Sequence, residues 1–249
     1  MAKEAAHTRI CEGIRKKMSK LKTIGLDADD TLWHNEQFFR LTQQRFAELL
    51  NDHADQQALI DRLEAAERRN LGHYGFGVKG FVLSMIETAV EVGGDQVPAS
   101  VINELLESGR EMLRHPIELL PGVAETVAEL AESHALVLIT KGDLLDQERK
   151  LAQSGLGEMF RAVEIVSDKT PDIYARAFAG FDGGVEGAMM VGNSLKSDVL
   201  PALEAGAWGV HVPHELTWSF EAATPPVDHD RFHVVPGLPD LAPLVQRLS

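Results

Sequence analysis

Cysteine is almost absent from this chain, since Cys11 is the single one among 249 residues. One cysteine cannot form an internal disulfide or a multi-cysteine metal site. Because Cys11 stands beside a charged run and has no evident catalytic partner, we interpret it as a packing residue. Burial of apolar groups must then stabilise the fold, and a hydrophobic content of 44% is ample for that purpose.

Long apolar runs and an excess of positive charge are also missing. No run approaches the roughly 18 residues of a membrane span, and the basic first segment has no apolar core resembling a signal peptide. With 24 Lys and Arg against 38 Asp and Glu, the formal net charge is −14 at pH 7, which would repel nucleic acid and anionic lipid. We therefore expect a cytoplasmic monomer or homodimer that binds a small molecule, with no nucleic-acid partner and no membrane partner.

The hydrophobic pattern changes character along the chain. An amphipathic helical pattern over residues 8–20 precedes a strand at Leu21–Leu26, and residues 33–114 are almost wholly helical in pattern. Strand and helix then alternate, with apolar runs at Ala135–Thr140, Ala162–Val166, Ala188–Val191, Ala207–Val212 and Phe232–Val235, before a closing helix at Leu238–Leu248. These patterns predict an α/β fold with a Rossmann-like, doubly wound parallel sheet. Residues 1–32 and 115–249 would form this core, and residues 33–114 an all-α cap inserted above the carboxyl edge of the sheet.

Closely spaced carboxylates end the first predicted strand. Alternate residues of an extended segment point the same way, so Asp27 and Asp29 could converge while Asp30 faces elsewhere. Ligands of open α/β sheets bind just beyond the carboxyl ends of the strands. Two like charges this close require a divalent cation, a shared proton or both. The alternative is an acidic turn that caps a helix at Thr31.

Polar residues also follow three later strands. Thr140 and Lys141 end the second one with a hydroxyl and free backbone N–H groups ahead of a helix, which makes a suitable cradle for phosphate. Lys169 stands just before another predicted helix, and Asn193 and Asp198 follow the next strand. Each residue alone is a weak signal, but their common placement at strand ends predicts a single site.

In this order the motifs resemble those of the haloacid dehalogenase superfamily, and more closely its phosphatase-like members with a helical cap after the first strand. The resemblance runs from residue 21 to about residue 213. The family's D-x-D-x-T is matched by Asp27, Asp29 and Thr31, its Thr or Ser by Thr140, its Lys by Lys169, and its G-D with a later D by Gly192 and Asp198. Asp30 stands where many members have glycine, and Asn193 replaces the first acid of the last motif.

The resemblance implies a Mg²⁺-dependent phosphohydrolase that acts on a small phosphorylated metabolite. Asp27 would be the nucleophile that forms an aspartyl-phosphate, and Asp29 would be the acid for the leaving alcohol and then the base for water. Lys169 would offset negative charge, while the Thr140 hydroxyl and the Lys141 N–H would bind the phosphate. The Mg²⁺ ligands would be Asp27, the backbone carbonyl of Asp29, and Asp198 with or without Asn193.

A glycine-rich turn in the helical region has the spacing G-x-G-x-x-G, from Gly75 to Gly80. A dinucleotide fingerprint needs a preceding strand, whereas the upstream segment is helical in character, so we reject a nucleotide cofactor. We interpret the turn as a loop that dips towards the substrate, in which Lys79 offers a cation to an anionic leaving group; a plain helix–helix turn is the alternative. The predicted specificity residues are His73, Tyr74, Phe76 and Lys79.

Three other functions fit parts of the pattern. A 2-haloacid dehalogenase would share the fold and Asp27, but that family lacks an acid at position 29 because no alkoxide leaving group needs a proton. A phosphomutase would share every core residue and differ only in whether water or substrate accepts the phosphoryl group. A non-catalytic phosphate-binding regulator could use the same Asp, Thr and Lys set, although it has little need of so long a lid.

Overall fold

The computed structural model describes residues 21–216 and 218–249. Cys11 and the helix predicted over residues 8–20 lie outside this part of the chain. Within it, no helix combines the length and the apolar character that crossing a bilayer requires.

Six parallel strands of the described residues form one sheet. They are β1 (Thr23–Leu26), β2 (Ala135–Lys141), β3 (Ala162–Val166), β4 (Ala188–Gly192), β5 (Trp208–His211) and β6 (Phe232–Val234), and their order across the sheet is β3-β2-β1-β4-β5-β6. The predicted parallel sheet is confirmed. The order reverses beside β1, which pairs with β2 on one side and β4 on the other. Such a reversal opens a crevice for ligands at the carboxyl edge of the sheet.

Apolar side chains cover both faces of the central strands. In β2, Leu136 and Leu138 pack in one hydrophobic cluster, whereas Val137 and Ile139 pack in another on the opposite face. Successive residues of a strand point to opposite faces, so a continuous apolar run is typical of a sheet buried on both sides. The strand ends are therefore held rigidly where they meet the crevice.

The first four α-helices of the described chain follow β1. They are α1 (Glu36–Leu49), α2 (Gln56–Tyr74), α3 (Val78–Gly93) and α4 (Ala99–Arg114), and we call residues 36–114 the helical block. Their buried side chains form a hydrophobic cluster of their own. Trp33, which the sequence pattern placed with these helices, packs instead in the cluster of the sheet. Gly75 and Gly77 have φ angles of 71° and 109°, a region that favours glycine, and they allow the sharp reversal between α2 and α3.

Five further helices accompany the sheet in the described part of the chain. They are α5 (Val123–Ala131), α6 (Leu144–Ser154), α7 (Pro171–Ala179), α8 (Leu200–Ala205) and α9 (Leu241–Leu248). The Thr170 hydroxyl accepts the backbone N–H of Ile173 over 3.4 Å and Pro171 occupies the first turn of α7, so this helix begins directly after Lys169. The predicted closing helix is confirmed from Leu241 onward, after a short 3₁₀ turn at Leu238–Asp240.

Candidate active site

A cavity of about 160 Å³ lies at the carboxyl edge of the sheet, with residues of both the sheet edge and the helical block in its walls. It brings together four strand ends, because Asp27 follows β1, Thr140 ends β2, Lys169 follows β3 and Asp198 follows β4. The predicted core residues in its lining are Asp27, Asp29, Thr140, Lys141, Lys169, Asn193 and Asp198.

Lys169 links two of these strand ends. Its Nζ donates to Oδ1 of Asp27 and, over 2.6 Å, to Oδ1 of Asp198, and all three residues are buried. Burial alone would lower the pKa of Lys169, but the carboxylates of Asp198 and Asp27 raise that pKa well above its ordinary value. Lys169 is therefore a fixed cation beside Asp27, able to offset negative charge that develops there.

Thr31 connects Asp27 to the end of β4. Its hydroxyl donates to Oδ2 of Asp27 over 3.0 Å and accepts the backbone N–H of Asn193 over 3.1 Å. A Cβ at Gly192 would collide with the carboxylate of Asp198, so a glycine is required for that close approach. Asp27 and Asp198 are thus both held in place by their neighbours.

The oxygens around Asp27 fit a hard cation such as Mg²⁺. Asp27 and Asp198 are two buried carboxylates that share one lysine, so the trio keeps an excess negative charge; burial and repulsion by Asp27 raise the pKa of Asp198 to about 7. The described residues contain no cluster of three or more His, Cys, Asp or Glu side chains placed to hold a metal. Mg²⁺ tolerates such a sparse set because it usually keeps several waters, and the Asn193 amide oxygen and the Asp29 backbone carbonyl would be the further protein ligands.

Asp29 lines the cavity, but its carboxylate is held by α6 and Trp33. Lys150 Nζ donates to its two oxygens over 2.9 and 3.1 Å, Gln147 Nε2 donates over 2.8 Å, and Trp33 Nε1 donates over 2.7 Å. Burial raises the pKa of Asp29, yet the Lys150 ammonium and these hydrogen bonds outweigh burial and lower it below the usual value. In this arrangement Asp29 is an ionised carboxylate, ready to accept a proton rather than to donate one.

Sequence reasoning missed Gln147 and Lys150, which fix Asp29. They stand three positions apart on α6 and therefore share one face of that helix. Because α6 follows β2 directly, a polar pair on its first turns was the signal that could have identified them.

Asp30 faces away from Asp27, as predicted, and caps a helix. Its carboxylate accepts the backbone N–H groups of Asn35 and Glu36 over 2.9 and 3.0 Å, at the start of α1. Its φ of 58° is in the left-handed region, which explains why glycine suits this position and why an aspartate is tolerated there. The capping alternative is thus realised, but by Asp30 at α1 rather than at Thr31.

Lys141 contributes a paired side chain to the cavity as well as its backbone. Its Nζ donates over 2.7 Å to the hydroxyl of Ser197 and over 2.6 Å to Glu221. Glu221 also accepts the hydroxyls of Ser194 and Ser197. Burial raises the pKa of Glu221, but Lys141 and the two serines lower it overall. Glu221 comes from a loop after β5 and had no motif that could have revealed it.

The turn between α2 and α3 reaches the sheet edge, but not in the predicted manner. Phe76 lines the cavity, with Lys141 Nζ 4.0 Å from its ring centroid and the Trp218 ring 6.0 Å away. Lys79 is a correction to the prediction: its Nζ pairs with Oδ2 of Asp143 over 2.8 Å, because the turn places it over the start of α6. His73 and Tyr74 are likewise corrected, since both are exposed at the end of α2 and, like Lys79, do not occur among the described residues that line the cavity.

Comparison with known proteins agrees with this fold. Residues 21–206 match the model of the haloacid dehalogenase-like hydrolase family, and the chain belongs to that family of enzymes. A haloacid dehalogenase-like family hydrolase from Xanthomonas campestris has 41% sequence identity and a TM-score of 0.82, with 94% of each chain covered. The chain has no match among curated proteins.

More distant structures share the fold. A haloacid dehalogenase (HAD) hydrolase from Bacillus subtilis bound to magnesium has 15% identity and a TM-score of 0.60. The match covers 91% of this chain and 99% of that one. The L-2-haloacid dehalogenase from Xanthobacter autotrophicus with chloropropionic acid covalently bound has 18% identity and a TM-score of 0.62, covering 92% and 100%. Other structures at similar identity are named as phosphatases. Fold likeness alone therefore does not distinguish hydrolysis of a phosphate ester from removal of a halide.

Proposed function

We propose that this hydrolase is a Mg²⁺-dependent phosphatase that cleaves a small phosphomonoester through an aspartyl-phosphate on Asp27. The observation that carries the proposal is the second carboxylate, Asp29, in the same cavity as Asp27 and Lys169. A reaction that expels an alkoxide needs a proton carrier near the leaving group, whereas expulsion of a halide does not. The substrate we propose is a small phosphorylated metabolite of the cytoplasm.

Asp27 performs the first displacement. One of its carboxylate oxygens forms a bond to phosphorus as the bond between phosphorus and the leaving oxygen breaks. Lys169 and the Thr140 hydroxyl, with the Lys141 N–H, hold the phosphoryl oxygens during this step. Thr31 keeps the carboxylate of Asp27 oriented throughout, because its hydroxyl donates to Oδ2.

Asp29 carries the protons of both steps. Protonated Asp29 gives its proton to the departing alkoxide, and the resulting carboxylate then takes a proton from the water that attacks phosphorus. The second attack breaks the bond between phosphorus and Asp27 and releases inorganic phosphate. The Lys150 pairing stabilises the ionised form that the second step needs, so binding of substrate has to loosen this pairing before the first step.

Asp27, Asp198, the amide oxygen of Asn193 and the backbone carbonyl of Asp29 would hold Mg²⁺. When bound, the cation would neutralise charge on the phosphoryl oxygens. The magnesium in the Bacillus subtilis relative supports this assignment.

A second candidate is 2-haloacid dehalogenation, in which Asp27 would attack carbon and expel a halide. The specific observation in its favour is that Lys150, Gln147 and Trp33 occupy the Asp29 carboxylate, since expulsion of a halide needs no proton from Asp29. The covalent chloropropionate adduct of the Xanthobacter autotrophicus enzyme supports this candidate in the same way.

Release of phosphate from p-nitrophenyl phosphate, measured beside release of chloride from 2-chloropropionate, tests both candidates. We expect phosphate release that stops when EDTA is added and resumes with excess Mg²⁺, and no chloride. Chloride release without phosphate release would replace the first candidate by the second.

A further inference from the structure

The helical block lines its side of the cavity with acids and phenyl rings. Glu36 of α1 and Glu67 of α2 occur in this lining together with Phe39 and Phe81, whose ring centroids are 5.1 Å apart. Among the described residues, the block contributes no Lys, Arg or His to the lining. The described part of this wall therefore has acidic side chains and no basic ones.

The lysines of the opposite wall do not compensate for these acids. Lys141 pairs with Glu221, Lys150 with Asp29, and Lys169 with Asp27 and Asp198. Each lysine that lines the cavity in the described residues is thus already neutralised at the sheet edge, and none of them pairs with Glu36 or Glu67.

Glu67 is the most unusual member of this wall. It is only 8% exposed, and its Oε2 is buried without a hydrogen-bond partner among the described residues. Burial, and to a smaller extent repulsion by Glu36 and Glu64, raises the pKa of Glu67 to about 8. An unpartnered buried carboxyl group costs free energy unless a ligand satisfies it.

Glu36 is only weakly compensated. Its Oε1 lies 3.4 Å from Nε of Arg40, one helical turn away, and the Arg40 side chain is 48% exposed. A pair with one half-exposed partner contributes little to stability. Burial and the nearby Asp30 raise the pKa of Glu36 to about 7 in spite of Arg40.

We propose that Glu36 and Glu67 form a binding site for a cationic nitrogen, and that the substrate is a phosphomonoester whose alcohol carries an ammonium group. The assignment rests on the proposed phosphatase function and names its substrate class. An ammonium group can donate to both carboxylates and also pack against the faces of Phe39 and Phe81, which attract cations.

Other leaving groups fit this wall less well. A hydroxyl group could donate one hydrogen bond but would not stabilise the ionised forms of Glu36 and Glu67 as a cation does. A carboxylate or a second phosphate would bring further negative charge to a wall that has acids and, in its described part, no cation. The cavity thus favours the opposite of the anionic substrate that Lys79 had suggested from sequence.

The test compares three phosphate esters of similar size: O-phosphoethanolamine, 2-hydroxyethyl phosphate and phosphoglycolate. We expect kcat/KM to be highest for the ammonium ester, by about tenfold over the hydroxyl ester, and lowest for phosphoglycolate. In Glu67→Gln the preference for the ammonium ester over the hydroxyl ester should fall about tenfold. The control Glu48→Gln removes an equal charge from the exposed surface of α1 and should keep the preference.

Binding provides a readout that does not depend on turnover. Trp218 lines the same cavity, so ethylammonium chloride should change its fluorescence in the native protein and in Glu48→Gln, but more weakly in Glu67→Gln. Equal kcat/KM for the ammonium and hydroxyl esters, or an unchanged preference in Glu67→Gln, would overturn the inference and leave the phosphatase intact if p-nitrophenyl phosphate is still cleaved. If no phosphate ester is cleaved, the proposed function fails, and the fluorescence result alone decides whether the cation site exists.

Discussion

Charged side chains line both walls of the cavity, but only those at the sheet edge are neutralised by neighbours. At that edge Lys169 lies between Asp27 and Asp198, and Lys150 pairs with Asp29. On the helical block, Glu67 has no ion pair among the described residues and Glu36 has a weak one. Under the proposed function, the edge supplies the groups that every phosphate ester needs, whereas the acids of the block remain for the particular substrate to satisfy.

The largest loss of activity should follow substitution of Asp27 at the sheet edge. Asp27→Asn removes the nucleophile and a metal ligand together, so kcat for p-nitrophenyl phosphate should fall by at least about a thousandfold. Thermal unfolding should show that the variant still folds, and Asp182→Asn, at an exposed loop position, should retain full activity. Substantial residual turnover in Asp27→Asn would refute the covalent mechanism.

Asp29→Asn should show whether the second carboxylate carries protons. An alkyl phosphate has a poor leaving group that needs a proton, so its kcat should fall about a hundredfold more than that of p-nitrophenyl phosphate. The ratio of the two losses is the measurement, because a change in folding would reduce both rates equally. Equal losses would remove Asp29 from the acid role.

Much of the edge could be predicted because it depends on local pattern. Asp27 and Thr140 stand at the ends of apolar runs, Lys169 and Asp198 follow such runs within a few residues, and parallel strands bring these ends to one edge. The partners of Asp29 are less evident, because Gln147 and Lys150 form only a polar pair on a helix whose position depends on packing across the whole sheet. The burial of Glu67 is harder still to predict from sequence. Its sequence neighbours are those of an ordinary exposed helix face, and only the tertiary contact of α2 with the cavity buries it.

Glu67→Gln should stabilise the protein at alkaline pH. The pKa of Glu67 is about 8 in the folded protein against an ordinary value of 4.5, so between these pH values the folded state holds a proton that the unfolded state has lost. Stability of the native protein therefore decreases as pH rises through this range, and the free energy of unfolding of the variant should gain about 4 kcal/mol relative to the native protein by pH 8. Denaturant unfolding at several pH values measures this difference, which should be absent in Glu48→Gln. Parallel stability curves for native protein and Glu67→Gln would show that Glu67 ionises freely.

Lys79→Met should have the smallest effect. The pair between Lys79 and Asp143 joins the block to the edge, but the Lys79 side chain is 57% exposed, and such pairs contribute about 0.5 kcal/mol. KM should therefore rise no more than about threefold, and equally for cationic, neutral and anionic esters, because the contact closes the cavity without touching the substrate. A selective loss for phosphoglycolate would restore the anion-binding role that the sequence suggested for Lys79.

The central claim is that the enzyme hydrolyses a phosphate ester and not a haloacid. The position of solvent oxygen in the products tests this claim most directly. When p-nitrophenyl phosphate is cleaved in water enriched in the heavy oxygen isotope, the water attacks phosphorus, so the label should appear in the released phosphate and be absent from Asp27 by mass spectrometry of the digested protein. A dehalogenase intermediate is instead hydrolysed at the carboxyl carbon of the aspartate. Label in Asp27 after turnover of 2-chloropropionate, with no labelled phosphate from any ester, would contradict the phosphatase account.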